Sequence, residues 1–257
     1  MAHKLWDFVS EINSGAYKLV DLTHAMNNDS PYWAGIPAGS VELAKTCFDW
    51  GNPMLDCLIQ TFKFPGQFGT HIDFPGHFIK GGKLSEAYGA ANMIYPLCVV
   101  DITEKVAQDI HYAVTAEDIQ AYEKTYGAIP DGAFVALRTD WAKRWAGGME
   151  KFSGADENGN DNFPGWSLDA LKYIYEVRNA AANGHETLDT DASELAAKAG
   201  DLTGERYVLG KGKLQVEVMN NFDKVAPAGA ILFAGWANIE GATGLPVRLL
   251  AITPNND

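Results

Sequence analysis

Positive charge is scarce in this chain: 20 Lys and Arg stand against 33 Asp and Glu, a formal net charge of −13. Nucleic-acid backbones and anionic membrane surfaces are held by clustered Lys and Arg, so neither is expected as a partner and a small molecule is. Cysteine is sparse too. Cys47, Cys57 and Cys98 are too few and too unevenly spaced for a disulfide framework or a CxxC zinc site, and are expected as core thiols. Eighteen apolar residues in a row occur nowhere, and the first seven residues lack a basic region ahead of an apolar stretch, so the expected address is the cytoplasm. No Gly-x-Ser-x-Gly elbow occurs, and Gly210-Lys211-Gly212-Lys213 lacks the spacing of a phosphate-binding loop. Serine-nucleophile and nucleotide chemistry drop away.

What is present is 257 residues, 47% of them hydrophobic, with no internal repeat and no low-complexity linker. That suffices for one domain spanning residues 1–257. Short apolar runs alternate with helix-like segments, which indicates a mixed α/β protein. Residues 18–24, 41–47, 58–64, 97–102, 133–138, 230–236 and 246–252 read as strands bounded by turn residues. A Thr N-cap and first-turn acids at Thr115-Ala116-Glu117-Asp118 start a helix that runs to about Tyr126. A second opens at Ser167 and stops near Gly184; Asp191 with Glu194 suggests a third. The Gly, Asn and Asp-rich stretch at 154–161 fails the spacing of a calcium loop and reads as a solvated insertion.

Chemistry-bearing residues concentrate in Gln67-Phe68-Gly69-Thr70-His71-Ile72-Asp73-Phe74-Pro75-Gly76-His77. His71 and Asp73 lie two apart in an extended segment, so their side chains share a face and can clamp one ion. Gly69 permits close backbone approach, and Pro75-Gly76 turns the chain to bring His77 back towards the same space. The spacing also fits a plain buried His–Asp pair. Against that, two of only six histidines fall here, in a loop of the kind that carries sites on rigid scaffolds.

This segment resembles the signature of the cyclase-like metal hydrolases, which include kynurenine formamidases and isatin hydrolases: His-x-Gly-Thr-His-x-Asp-x-Pro-x-His. Gln67 stands where the first His should be, and the other fixed positions are kept. Asp21-Leu22-Thr23-His24, Pro31-Tyr32-Trp33, the 137–141 and 184–191 segments and Gln215-Val216-Glu217 extend the resemblance over nearly the whole chain. The last of these is more similar to the isatin hydrolase branch.

The resemblance implies a swivelling β/β/α single domain, a homodimer or larger homo-oligomer, and metal ligation by His71, Asp73 and Gln215. His77 is then the catalytic proton shuttle beside the activated water. Glu217 is a reserve ligand or outer support, as is Gln67; Trp33 and Phe68 would wall a flat substrate, with Tyr32 and Trp236 as further aromatics. Without the first His, and with no His after His185, one divalent metal per chain is expected. A hard donor set favours manganese, and zinc also fits. The implied reaction is opening of a cyclic amide, isatin to isatinate. An arylformamide or an unsaturated lactone is the alternative substrate, and a silent small-molecule binding protein is the rival from another class. His24 is read as lining the pocket or satisfying a buried carbonyl, and His185 with the acids of 184–191 as shaping a turn and capping the next helix.

Overall fold

The apolar runs fold into strands that close on themselves. The computed structural model describes residues 3–255. Its strands are β1 (Tyr17–Asp21), β2 (Glu42–Phe48), β3 (Ile59–Lys63), β4 (His71–Asp73), β5 (Ile94–Asp101), β6 (Ala113–Val114), β7 (Phe134–Arg138), β8 (Gly165–Trp166), β9 (Ala182–His185), β10 (Leu214–Glu217), β11 (Ala230–Trp236) and β12 (Gly244–Pro254). The α-helices are α1 (Lys4–Asn13), α2 (Thr103–Gln108), α3 (Ala116–Tyr126), α4 (Gly148–Phe152), α5 (Leu168–Lys172), α6 (Ser193–Ala199) and α7 (Thr203–Gly210). No helix among the described residues is long and apolar enough to cross a membrane.

Seven strands follow the order β12-β11-β5-β7-β9-β10-β4, and β4 pairs back onto β12 to close a mixed barrel. One edge of β12 serves two partners, its first residues pairing with β4 and its last with β1. The β5-β7-β9-β10 run is parallel and the remaining pairings are antiparallel.

Parallel strands covered on both faces are mostly apolar on both, as β5 and β7 are here. Leu97, Val99, Phe134, Ala136, Leu214 and Val216 point into the barrel with Ile72 and Phe74. Their neighbours Cys98, Val100, Val135 and Leu137 point outward beneath Ile119 of α3 and Leu171 and Val208 of α5 and α7. That two-sided burial is why 97–100 and 133–137 read as unbroken apolar runs.

All seven expected strands form, β11 with the expected ends and the other six with shifted ones. β1 stops at Asp21 and leaves His24 beyond it, where Thr23 makes only a bridge to Met219. α3 carries the expected cap, Thr115 and Asp118 satisfying each other's backbone N–H. The helix opening at Ser167 corrects the expectation: after a π-turn at Tyr173–Val177 it ends, because Asn179 turns left-handed at φ 50°, and Gly184 lies inside β9 instead. Cys98 is buried as expected, but Cys47 is exposed and Cys57 half-buried, since β2 and β3 pair only with each other and no layer covers them. In the 154–161 stretch Asp156 accepts the backbone N–H groups of Asn158 and Asn160, a solvated turn.

Candidate metal centre

Strand alternation builds the site. Ile72 points into the barrel, so His71 and Asp73 on either side of it point out. Leu214 and Val216 likewise send Gln215 and Glu217 outward. The β10–β4 register sets Gln215 opposite Asp73 and Glu217 opposite His71, while β9 adds Asn183 beside Gln215 and His185 at the next outward position. The outcome is a polar stripe two rungs deep on the outer face of the barrel. All six side chains are buried beneath α7 and the tight turn Pro75–His77.

His71 Nδ1 lies 2.9 Å from the Gly69 carbonyl oxygen, which can only accept, so Nδ1 carries the hydrogen. Gly69 reaches that position at φ 62°, where a Cβ would also press on the Met26 side chain. Nε2 is then turned to the carboxylates of Asp73, at 3.5 Å, and Glu217, at 3.4 Å, and has no hydrogen-bond partner. Burial alone would lower the imidazole pKa, but Asp73 and Glu217 override it and hold it well above the ordinary value. Burial opposes ionisation of Asp73, and His71 outweighs it.

Gln67 donates to Asp73 Oδ1 at 3.1 Å from its place against the Gly244 backbone, where any Cβ would strike it. Gln215 Nε2 donates to Asp73 at 3.3 Å and to Glu217 at 3.2 Å, and its Oε1 accepts from the Thr190 hydroxyl at 3.0 Å. An amide NH₂ wedged between two carboxylates marks where positive charge is wanted. Among the described residues no Lys or Arg pairs with Asp73, Glu205 or Glu217.

His77 sits on the Pro75–His77 turn with its side chain 30% exposed. Its Nε2 is 3.9 Å from Glu205 Oε1. Two groups of donor atoms therefore share Asp73, namely His71–Asp73–Glu217 and Asp73–His77–Glu205, each within 4.8 Å. Burial, followed by the Glu217 and Asp73 carboxylates, pushes Glu205 well above the usual carboxylate range. Asp189 is pushed up in the same way by burial and Glu217.

The reading of 184–191 as a turn with a helix cap needs correcting on two points. His185 is a wholly buried strand residue with Nε2 3.5 Å from Glu217, and both of its ring nitrogens lack partners. Asp191 does cap a helix, but it is α7 and not the adjoining α6: its carboxylate accepts the N–H groups of Gly204 and Glu205 at 2.7 and 2.9 Å. Glu205 and His185 escaped sequence reasoning because no local pattern ties either to β4.

The aromatic residues are dispersed. Phe68 has no exposed surface and lies between Tyr32 and Phe64, whereas Trp33 is 65% exposed with its ring over Gly35. Trp236 packs edge-on against Phe74 of the core. His24 is buried flat against Trp145 at 4.4 Å, and burial, countered by the Met219 carbonyl, lowers its pKa to about 4.

An orphaned imidazole nitrogen facing two carboxylates, with no Lys or Arg paired with them among the described residues, fits a divalent cation. His71, Asp73 and Glu217 present donors from one side, and Gln215 offers a carbonyl oxygen if its amide turns over.

Comparison with known proteins agrees with this architecture. The Cyclase family model matches residues 20–192. An isatin hydrolase from Roseibium aggregatum is 33% identical over 190 residues, 72% of this chain and 71% of that protein. Isatin hydrolase A from Labrenzia aggregata, solved with benzyl benzoate, superposes with a TM-score of 0.88 at 27% identity, covering 98% of this chain and 100% of that one. An isatin hydrolase bound to the product analogue thioisatinate gives 0.88 at 26% identity over 99% of this chain and 100% of its own. The mixed α/β fold implied by the sequence is the fold found, and the chain belongs to the Cyclase family.

Proposed function

We propose that the chain is a metal-dependent hydrolase that opens a cyclic amide fused to an aromatic ring, converting isatin to isatinate. The observation that carries this is the unpartnered His71 Nε2 facing two buried carboxylates, in a chain 33% identical to an isatin hydrolase. On this reading His71, Asp73 and the turned-over amide of Gln215 hold one ion, with Glu217 closing the far side of His71 and Gln67 fixing Asp73. The oxygen-rich set suits manganese, and zinc as the second choice. Such an ion would polarise the substrate carbonyl and make water nucleophilic near neutral pH.

The protein's own part is proton movement and placement. As the water oxygen joins the amide carbonyl carbon, His77 accepts the water proton, and it returns that proton to the ring nitrogen when the C–N bond breaks. An imidazole, which can both accept and donate a proton in the neutral range, suits both steps. Trp33 and Phe68 are proposed to bound the flat ring, which requires the 31–36 and 64–68 segments to shift on binding. The chain is further proposed to act as a homo-oligomer; Leu5, Trp6 and Val9 of α1 are exposed apolar side chains suited to a self-contact.

The test is metal content per chain measured together with loss of isatin absorbance by the purified protein. One metal per chain with ring opening is the expected result. Activity on an N-formyl arylamine or a lactone but not on isatin would move the substrate within the same chemistry. Tight isatin binding with no turnover at any metal loading would overturn the enzyme reading in favour of a binding protein.

A further inference from the structure

The acids around the centre are not equivalent. Asp73 and Glu217 face His71, and Asp191 is consumed by the N–H groups of α7. Glu205 is different. It is 2% exposed, and among the described residues the basic side chain it meets at ion-pair distance is His77, at 3.9 Å. Ionising a carboxyl group in such a place costs several kcal/mol, so the placement favours a positive charge beside it.

We propose that Glu205 is a positioning residue for the His77 proton shuttle, a buried carboxyl group that orients the imidazole and supports it while it holds the proton. The inference rests on the role given to His77 above. Geometry supplies the reason. His77 sits on a short turn with part of its ring in solvent, so nothing on its own segment fixes its direction beyond the edge contact with Phe78. Glu205 approaches from the opposite element, and its backbone is pinned because its own N–H is held by Asp191. A charge that appears on His77 therefore forms beside a fixed, buried carboxyl group, where the pairing is stronger than between two groups in bulk water.

The experiment measures metal content, kcat and KM on isatin for Glu205→Gln, Glu205→Asp, His77→Ala and the double variant Glu205→Gln with His77→Ala. Glu205→Gln should keep its metal and its KM within about twofold while kcat falls about 10- to 100-fold, the usual loss on removing a carboxylate that supports a functional imidazole. Glu205→Asp should recover part of that loss. In the His77→Ala background Glu205→Gln should add nothing, because the group it positions is gone. Unchanged kcat in Glu205→Gln, losses that multiply in the double variant, or loss of metal from Glu205→Gln would each overturn the proposal. Full turnover by His77→Ala alone would instead overturn the shuttle reading on which it rests, and the single variants separate the two failures.

Discussion

At His71 two demands meet: the Gly69 carbonyl fixes which nitrogen carries hydrogen, and two acids wait on the other nitrogen. Asp73→Ala should therefore abolish bound metal and turnover together, whereas His77→Ala should keep the metal and lose about 10²- to 10⁴-fold in kcat, the usual worth of a proton-transfer group. Metal analysis beside single-substrate kinetics checks both, and a fully active His77→Ala protein would remove the shuttle. The two β10 candidates separate likewise. Gln215→Ala should lower metal affinity about 10- to 100-fold or more, while Glu217→Gln, as outer support, should cost no more than the lower end of that range; the reverse order, read by titration against a competing chelator, would exchange their roles. His71, Asp73 and His77 were legible because strand alternation and a Pro-Gly turn act over a few residues. Glu205 and His185 were not, since each reaches the site by tertiary packing. Nor was the strain at Val218 legible. This β-branched residue at φ 57° carries a backbone cost of about 1–3 kcal/mol. The position lets its carbonyl accept from Thr70 Oγ1 at 2.6 Å and its N–H reach the Thr187 carbonyl, joining the ends of β4, β9 and β10.

Among elements, α7 shows how a helix can be invisible locally and fixed globally. Its N-cap position is Leu202, which offers no side-chain acceptor, and its first turn contains Gly204. The acceptor comes from Asp191, twelve residues before the helix and across α6, so a window-by-window search finds a cap without the helix it serves. Asp191→Ala should then cost about 1 kcal/mol, the ordinary worth of a lost cap, and lower Tm by about 2–4 °C. It should also lower kcat, because Glu205 loses its anchor, and a variant with unchanged Tm and kcat would show that α7 is held by its packing alone. Strand legibility divides on the same principle. The seven strands found in advance are rich in β-branched, aromatic and Leu side chains, whereas β9 is Ala-Asn-Gly-His, four residues with little strand preference that pair because β7 and β10 flank them.

For the whole molecule, one part of the pH dependence of stability comes from a buried acid outside the metal centre. Burial pushes Glu186 up to about 7, against the N–H and hydroxyl of Thr139, which its Oε2 accepts at 2.7 and 2.8 Å. The folded protein thus keeps this proton over a range in which the unfolded chain, with an ordinary Glu near 4.5, has released it. The folded state binds more protons there, so stability falls as pH rises from about 4.5 to about 7 and levels off above. At about 1.4 kcal/mol per pH unit the full contribution is at most about 3 kcal/mol. His24, lowered to about 4, acts in the opposite sense, losing stability as pH falls below about 6.5, so the wild-type curve alone mixes these two with the other shifted groups, Glu205, Asp189 and His71 among them. Comparison with Glu186→Gln removes the mixture: the amide carbonyl can still accept from Thr139 and cannot ionise. Denaturant unfolding at pH 5, 6, 7 and 8 should show Glu186→Gln gaining on the wild type at each step up to about pH 7, and a constant difference across that range would mean that Glu186 ionises as readily in the fold as in the open chain.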